Sequence, residues 1–221
     1  MLEEAKLTNL KKTLMEFATL VEHMVDQSIT GLTMKRHELL RDVVHIHEPK
    51  ANDYEVDIDE KCVSIIAQHQ PAGKALRTIL MALHINSTLE RIGDHAVTIA
   101  ESSLFLIDHP QLKQLIDIPR MAEVVKGMIS DSITSFINED AQLAKSVCER
   151  DDIVDGLRDQ ILRELITFMI SDTTYIERSL QLMKIGSNLE RIADLATNIC
   201  EDVIYMVKGE VIKHHRTMGN E

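Results

Sequence analysis

One sixteen-residue pattern appears twice in this chain. "NSTLERIGDHAVTIAE" occupies residues 86–101 and "GSNLERIADLATNICE" residues 186–201, with nine of sixteen positions identical. The likeness extends outward from the motif. "VEHMVDQSIT" at 21–30 shares Val, Met, Ser, Ile and Thr with "VKGMISDSIT" at 125–134, an offset of 104. "NDYEVDIDE" at 52–60 falls where "DGLRDQILR" lies at 155–163, an offset of 103. The offset shrinks to 100 by the motif itself, which places a shorter connection near residues 171–174 of the second copy. A chain written this way folds as two like units, and whatever one copy forms the other must form from nearly the same residues.

Those units are helical. Gly (8) and Pro (4), the usual helix breakers, are scarce, aromatic residues are 3% and Trp is absent, which leaves little for a β-protein to build with. Leu7, Leu10, Leu14, Phe17, Val21 and Met24 alternate by three and four, an apolar seam on one helix. Breaks are expected around Gly31–His37, Gln70–Gly73, His109–Pro119, Asn138–Asp140, Ser171–Thr174 and Gly209. Between them lie six helical stretches, mostly longer than 20 residues, the second kinked or interrupted at Pro49. The predicted class is all-α: two tandem three-helix bundles, residues 1–112 and 113–221, packed side by side with pseudo-two-fold symmetry. The segment "DHPQLKQLIDIP" links them, and the polar tail "GEVIKHHRTMGNE" is expected to fray.

The net charge is −12, which disfavours a nucleic-acid phosphate backbone as partner and suits cations or a basic surface. Cys62, Cys148 and Cys200 are isolated and form no CxxC, so a disulfide framework and a zinc knuckle are both disfavoured and core thiols are expected. The start "MLEEAKLTNLKK" has no apolar signal region, and no run reaches the ~18 apolar residues of a membrane span, so a cytoplasmic protein is expected.

The repeated segment carries the chemistry. Along residues 74–107, at about 100° per residue, Leu76, Ile79, Leu83, Glu90, Asp94, Val97, Glu101 and Leu104 fall within roughly 40° of one line. Met81, Ile85, Ile92, Ala96 and Ile99 line the opposite side, so the carboxylates are set into an apolar stripe. The second copy repeats the arrangement with Met183, Glu190, Asp194 and Glu201. Glu and Asp at i and i+4 project side by side and repel. A hard or borderline cation between them removes that repulsion, and Glu101 or Glu201 extends the site one and a half turns along. An interhelical ion-pair network, drawing on Arg91 and Arg191, satisfies the same acids without a metal. The spacing alone leaves both readings open.

Other motifs carry less. No ExxH, nucleophile elbow, P-loop, GxGxxG or HExxH occurs, and nothing assembles a nucleophile, base and orienter, so no enzyme and no catalytic residue is expected. His95 becomes Leu195 in the second copy and reads as accessory or solvated; His45, His47, His214 and His215 read as exposed.

Two tandem copies of "LERI(G/A)D", each in the third helix of a trio, resemble the PhoU family of phosphate-transport accessory regulators over roughly residues 5–213. "QPAGKALRTILMALHINSTLERIGDHAVTIAE" is similar to that family's first-repeat segment along its whole length. The resemblance implies a cytoplasmic, non-enzymatic negative regulator of phosphate uptake and of the phosphate-starvation response, peripheral at the inner face of the membrane through its partners. Those partners are the ATPase subunit of the phosphate ABC transporter and a membrane sensor histidine kinase, and the protein itself is expected as a homodimer. It also implies metal ions at the acidic motifs: iron, mono- or multinuclear, or else zinc, manganese or magnesium. Carried over residue by residue, the ligands are Glu90, Asp94 and Glu101 in the first copy and Glu190, Asp194 and Glu201 in the second. Asn198 keeps a family position that Thr98 loses, and Asn52 and Asp155 are the facing ligands from the middle helices. Thr98 and the "HEPKAND" stretch make the first site the weaker one. The alternatives are a metal-dependent enzyme using the same carboxylates and a metal-free helical interaction module.

Overall fold

The structure, a computed structural model, describes residues 2–208, with side chains for 4–207. The predicted break at Gly209, the tail, His214 and His215 lie outside the described residues. Eight α-helices make up the six expected stretches, and no strand occurs among the described residues. They are α1 (Leu2–Met34), α2 (His37–Asp42), α3 (Glu48–His69), α4 (Lys74–Ile107), α5 (Asp117–Asn138), α6 (Ala141–Cys148), α7 (Asp151–Ser171) and α8 (Ile176–Lys208).

The apolar seam of α1 forms as written: Leu10, Leu14, Phe17, Val21 and Met24 are fully buried, with Leu7 packed against them. The helix stops where Lys35 turns left-handed at φ 53°. One turn earlier a Cβ on Gly31 would stand 2.5 Å from Leu40 Cδ2, so only glycine lets α2 fold back this closely. Gln70 (φ 45°) and Glu139 (φ 55°) end α3 and α5 in the same way, and Asp140 caps α6 by accepting from the N–H groups of Gln142 and Leu143.

Three breaks differ from expectation. Residues Val43–His47 form a π-helical turn joining α2 to α3, with the Glu48 N–H reaching the Val43 carbonyl, so Pro49 sits in the first turn of α3 and no gap opens. Pro119 likewise lies inside the first turn of α5, because a proline there loses no helical hydrogen bond. The second middle stretch divides at Glu149–Arg150, between α6 and α7.

Each repeat places its third helix against the first two, and α4 and α8 also pack on each other. The contacts His95–Asn188 (2.8 Å) and His84–Asp202 (2.6 Å) show that these two helices run antiparallel. Their register centres on Ile92 and Ile192, equivalent positions and both fully buried, which is the arrangement a pseudo-two-fold axis requires. One hydrophobic core runs through both repeats, and α1 also packs on α5. Ion pairs Lys126–Asp26 (2.6 Å) and Lys74–Glu139 (2.7 Å) tie the halves at the surface. Cys148 and Cys200 are not isolated: their thiols hydrogen-bond to each other across α6 and α8, and burial with this contact pushes the Cys200 thiol up and out of reach of ionisation. Cys62 is a core thiol, pushed up to about 12 by burial.

Candidate metal centres

The acids sit on the outer part of their stripe, although Ile79 at its start is fully buried in the core. The opposite side of α4 enters the core, with Ile85, Ile92, Ala96 and Ile99 fully buried. Asp94 and Glu101 are exposed and Glu90 is half-buried; on α8, Asp194 and Asn198 are exposed and Glu190 and Glu201 half-buried. Leu83, Val97 and Leu104 on the stripe are partly buried against the core, and burial is the first cause of the raised Glu90 and Glu190 carboxyls.

In the second repeat, α7 lies alongside α8 and brings the Asp155 charge to bear on Glu190 and Asp194. It also brings Asp151, one turn earlier and absent from the expected set. Burial, then the charges of Asp194, Asp155 and Glu190, raise the Asp151 carboxyl to about 6. Burial and Asp194 raise Glu190, and burial and Asp155 raise Asp194. Four carboxylates, Asp194 exposed and the other three half-buried, thus act on one another across α7 and α8. Arg158, one turn beyond Asp155 on α7, reaches in among them. Its Nη1 donates to Glu190 Oε1 at 2.6 Å and lies 3.5 Å from Asp155 Oδ1.

In the first repeat the space is set by α3 and α4. Burial, then Asp94 and Glu55, raise the Glu90 carboxyl, and Arg91 pulls it partly back. Glu55, like Asp151, was not expected. At the 103-residue offset it stands where the second copy has Arg158. Asn52 is exposed and brings no charge. Asn86 fixes the rim of this space by donating to the Glu55 carbonyl (2.8 Å) and to Asp59 Oδ1 (2.9 Å).

Glu101 is exposed one and a half turns beyond Asp94, and Glu201 acts on Cys148 rather than standing among the main charges on Glu190. His95 is half-buried, not solvated, and its Nδ1 donates to Asn188 Oδ1 across the two repeats. Burial, with help from Arg191 and Arg91, pushes its imidazole down. Among the described residues no three His, Cys, Asp or Glu side chains converge on one point as they stand.

The donor set of the second cluster is all oxygen, half-desolvated and mutually repelling, and it fits a hard cation once Arg158 swings away. The first cluster has fewer acids and no arginine inserted between them.

The sequence pattern of the PhoU domain matches this chain twice, over residues 14–103 and 118–203. The chain belongs to the PhoU family. Among its relatives, a protein of Aquifex aeolicus named phosphate-specific transport system accessory protein PhoU homolog is 39% identical over 213 residues, covering 95% of this chain and 94% of that protein. A second PhoU homolog, from Thermotoga maritima, is 34% identical over 94% of this chain and 88% of its own length. The crystal structure of PhoU from Pseudomonas aeruginosa superposes with a TM-score of 0.88 at 34% identity, covering 93% of this chain and 99% of that one. The PhoU fold is therefore present as two repeats, and each repeat contributes one acidic cluster from its second and third helices.

Proposed function

We propose that this PhoU-family chain is the accessory protein of a phosphate-specific transport system and acts as a negative regulator, without chemistry of its own. In this reading it docks on the transporter's ATPase subunit and holds the phosphate sensor kinase in its off state when phosphate is plentiful. The carrying observation is the duplicated acidic cluster on a fold shared along nearly its whole length with relatives named phosphate-specific transport system accessory proteins. A bound cation supplies charge neutralisation there. Asp151, Asp155, Glu190 and Asp194 are the residues that hold it in the second repeat, and Glu55, Glu90 and Asp94 in the first.

No helix of the described residues is long and apolar enough to cross a membrane, so contact with a membrane sensor is through partners in this reading. Deleting the gene should raise phosphate-starvation outputs in high phosphate. Unchanged outputs would overturn the regulatory reading. Elemental analysis of native protein should find metal, and the pair Asp151→Asn and Asp194→Asn should remove the second cluster's share of it. A specific observation favours a second reading, the metal-free ion-pair network: Arg158 already occupies the cation's place beside Glu190. Metal-free protein that restores regulation in the deletion strain decides for that reading.

A further inference from the structure

His23 on α1 and His47 in the π-helical turn lie 24 residues apart in the sequence. The structure stacks them edge-to-face, ring centroids 5.2 Å apart and ring planes at 73°. His47 is half-buried rather than exposed, and its Nδ1 is buried with no hydrogen-bond partner. Gln27, one turn along α1 from His23 and on the same face, has a buried Oε1 that is equally without a partner. A buried polar atom left unsatisfied is destabilising, and both atoms call for a partner.

The π-turn explains how the pair arises. Its extra residue rotates the following side chains relative to a regular helix, and His47 is the last residue of that turn, facing α1. Burial, and then the nearby His23, push the His47 imidazole down, so it is neutral and free to act as a ligand near pH 7. His23 is exposed and lines an open groove between α1 and α5 together with Glu22, Asp26 and Lys126, in which the Asp26 charge is already paired with Lys126 at 2.6 Å.

We propose that His23 and His47 bind one borderline divalent transition-metal ion, of the zinc, nickel or copper class, with Gln27 Oε1 and water completing the shell. Two imidazole nitrogens about 2.0–2.1 Å from one tetrahedral ion set their ring centroids roughly 5 Å apart, which matches the observed pair. The site differs in kind from the acidic clusters. Imidazole selects borderline metals, whereas the all-oxygen clusters select hard ones. It occurs in the first repeat alone, because the second copy has Gly127 and Arg150 at the equivalent offsets of 104 and 103.

The test titrates the metal-free full chain with zinc while recording the imidazole NMR signals. The His23 and His47 signals should shift together and saturate at one equivalent. His23→Ala, at an exposed position, should fold normally and weaken zinc binding at least tenfold, as should His47→Gln. The double variant Asp151→Asn and Asp194→Asn should leave this binding unchanged. Histidine signals that do not move, unaltered zinc affinity in His23→Ala, or zinc binding lost only in the acid variant would each overturn the proposal.

Discussion

The two acidic clusters share one sequence pattern and solve the same electrostatic problem in different ways. In the second repeat four carboxylates crowd together, and Arg158 reaches in from α7 to neutralise them. In the first, Glu55 stands at the arginine's position and adds a third negative charge beside Glu90 and Asp94. One cluster therefore has an arginine inserted between its acids, whereas the other has only Arg91 beside Glu90. Thr98 and the "HEPKAND" stretch, read from sequence, rank the second site above the first. The facing helix changes that ranking, because a covalently attached guanidinium competes with any metal at a high local concentration. The protein's second cluster is richer in ligands but partly occupied; the first is poorer but open.

The largest effect should come from removing the counter-ion. Arg158→Met leaves Glu190 beside three other carboxylates. The pair is half-buried, between the surface limit of about 0–1 kcal/mol and the buried limit of about 3–5. Metal-free protein should therefore lose about 2 kcal/mol in urea denaturation at pH 8. Added manganese should restore that loss, because the released site now accepts it. Equal stability of variant and parent with and without metal would show that Arg158 is not the competitor.

The reciprocal exchange is Glu55→Arg. It brings to the first cluster the guanidinium that the second already has. Calorimetric titration should show the first cluster losing about tenfold in manganese affinity, about 1.4 kcal/mol. Metal-free stability should rise slightly. A variant that binds manganese as the parent does would mean that Glu55 does not border the site.

Asp151 gives a smaller effect with a defined pH window. Its carboxyl titrates at about 6 in the folded chain against an ordinary 3.8. Between those values the folded chain holds a proton that the unfolded chain releases, so stability falls as pH rises through the window. Above about 6 the loss is complete. Because Asp151 is only half-buried, solvent screening brings the effect down to about 1 kcal/mol. Asp151→Asn should thus be more stable than the parent by about that amount at pH 8 and no different below pH 4 in the absence of metal. An identical pH profile for both proteins would remove Asp151 from the cluster.

How much of this was legible depends on which contacts are local. The α1 seam, the duplication and most breaks follow from spacing along one helix, and Leu10 through Met24 are buried as the spacing requires. Glu90 with Asp94 and Glu190 with Asp194 are also intrahelical neighbours, and their mutual repulsion is present. Asp151, Glu55 and Arg158 were missed because they join the clusters through the register of a different helix. A signal for Asp151 was available: "DIVD" at 152–155 is preceded by Asp151, giving a DxxxD whose i, i+4 spacing mirrors the ExxxD opposite. The π-turn at Val43–His47 had no comparable signal. It is a tertiary accommodation, and with it the approach of His47 to His23 stayed hidden.

The smallest expected net effect, that of a double variant, tests the symmetry itself. Across the pseudo-two-fold axis, His95–Asn188 on one side corresponds to Leu195–Thr88 on the other. Leu195 and Thr88 are each 4% exposed. Asn188 and Thr88 bond back to equivalent carbonyls, Asn188 Nδ2 to Lys184 (2.7 Å) and Thr88 Oγ1 to His84 (2.9 Å). The polar pair is thus a substitution into a frame that an apolar pair already fills. His95→Leu alone leaves the Asn188 Oδ1 buried without its donor and should cost about 1–2 kcal/mol. Adding Asn188→Thr removes that stranded oxygen and rebuilds the opposite side of the axis, so the double variant should return to within about 0.5 kcal/mol of the parent. The coupling has a definite sign: the second change rescues the first. Strictly additive losses in a double-mutant cycle would mean that the two sides of the axis are not equivalent environments.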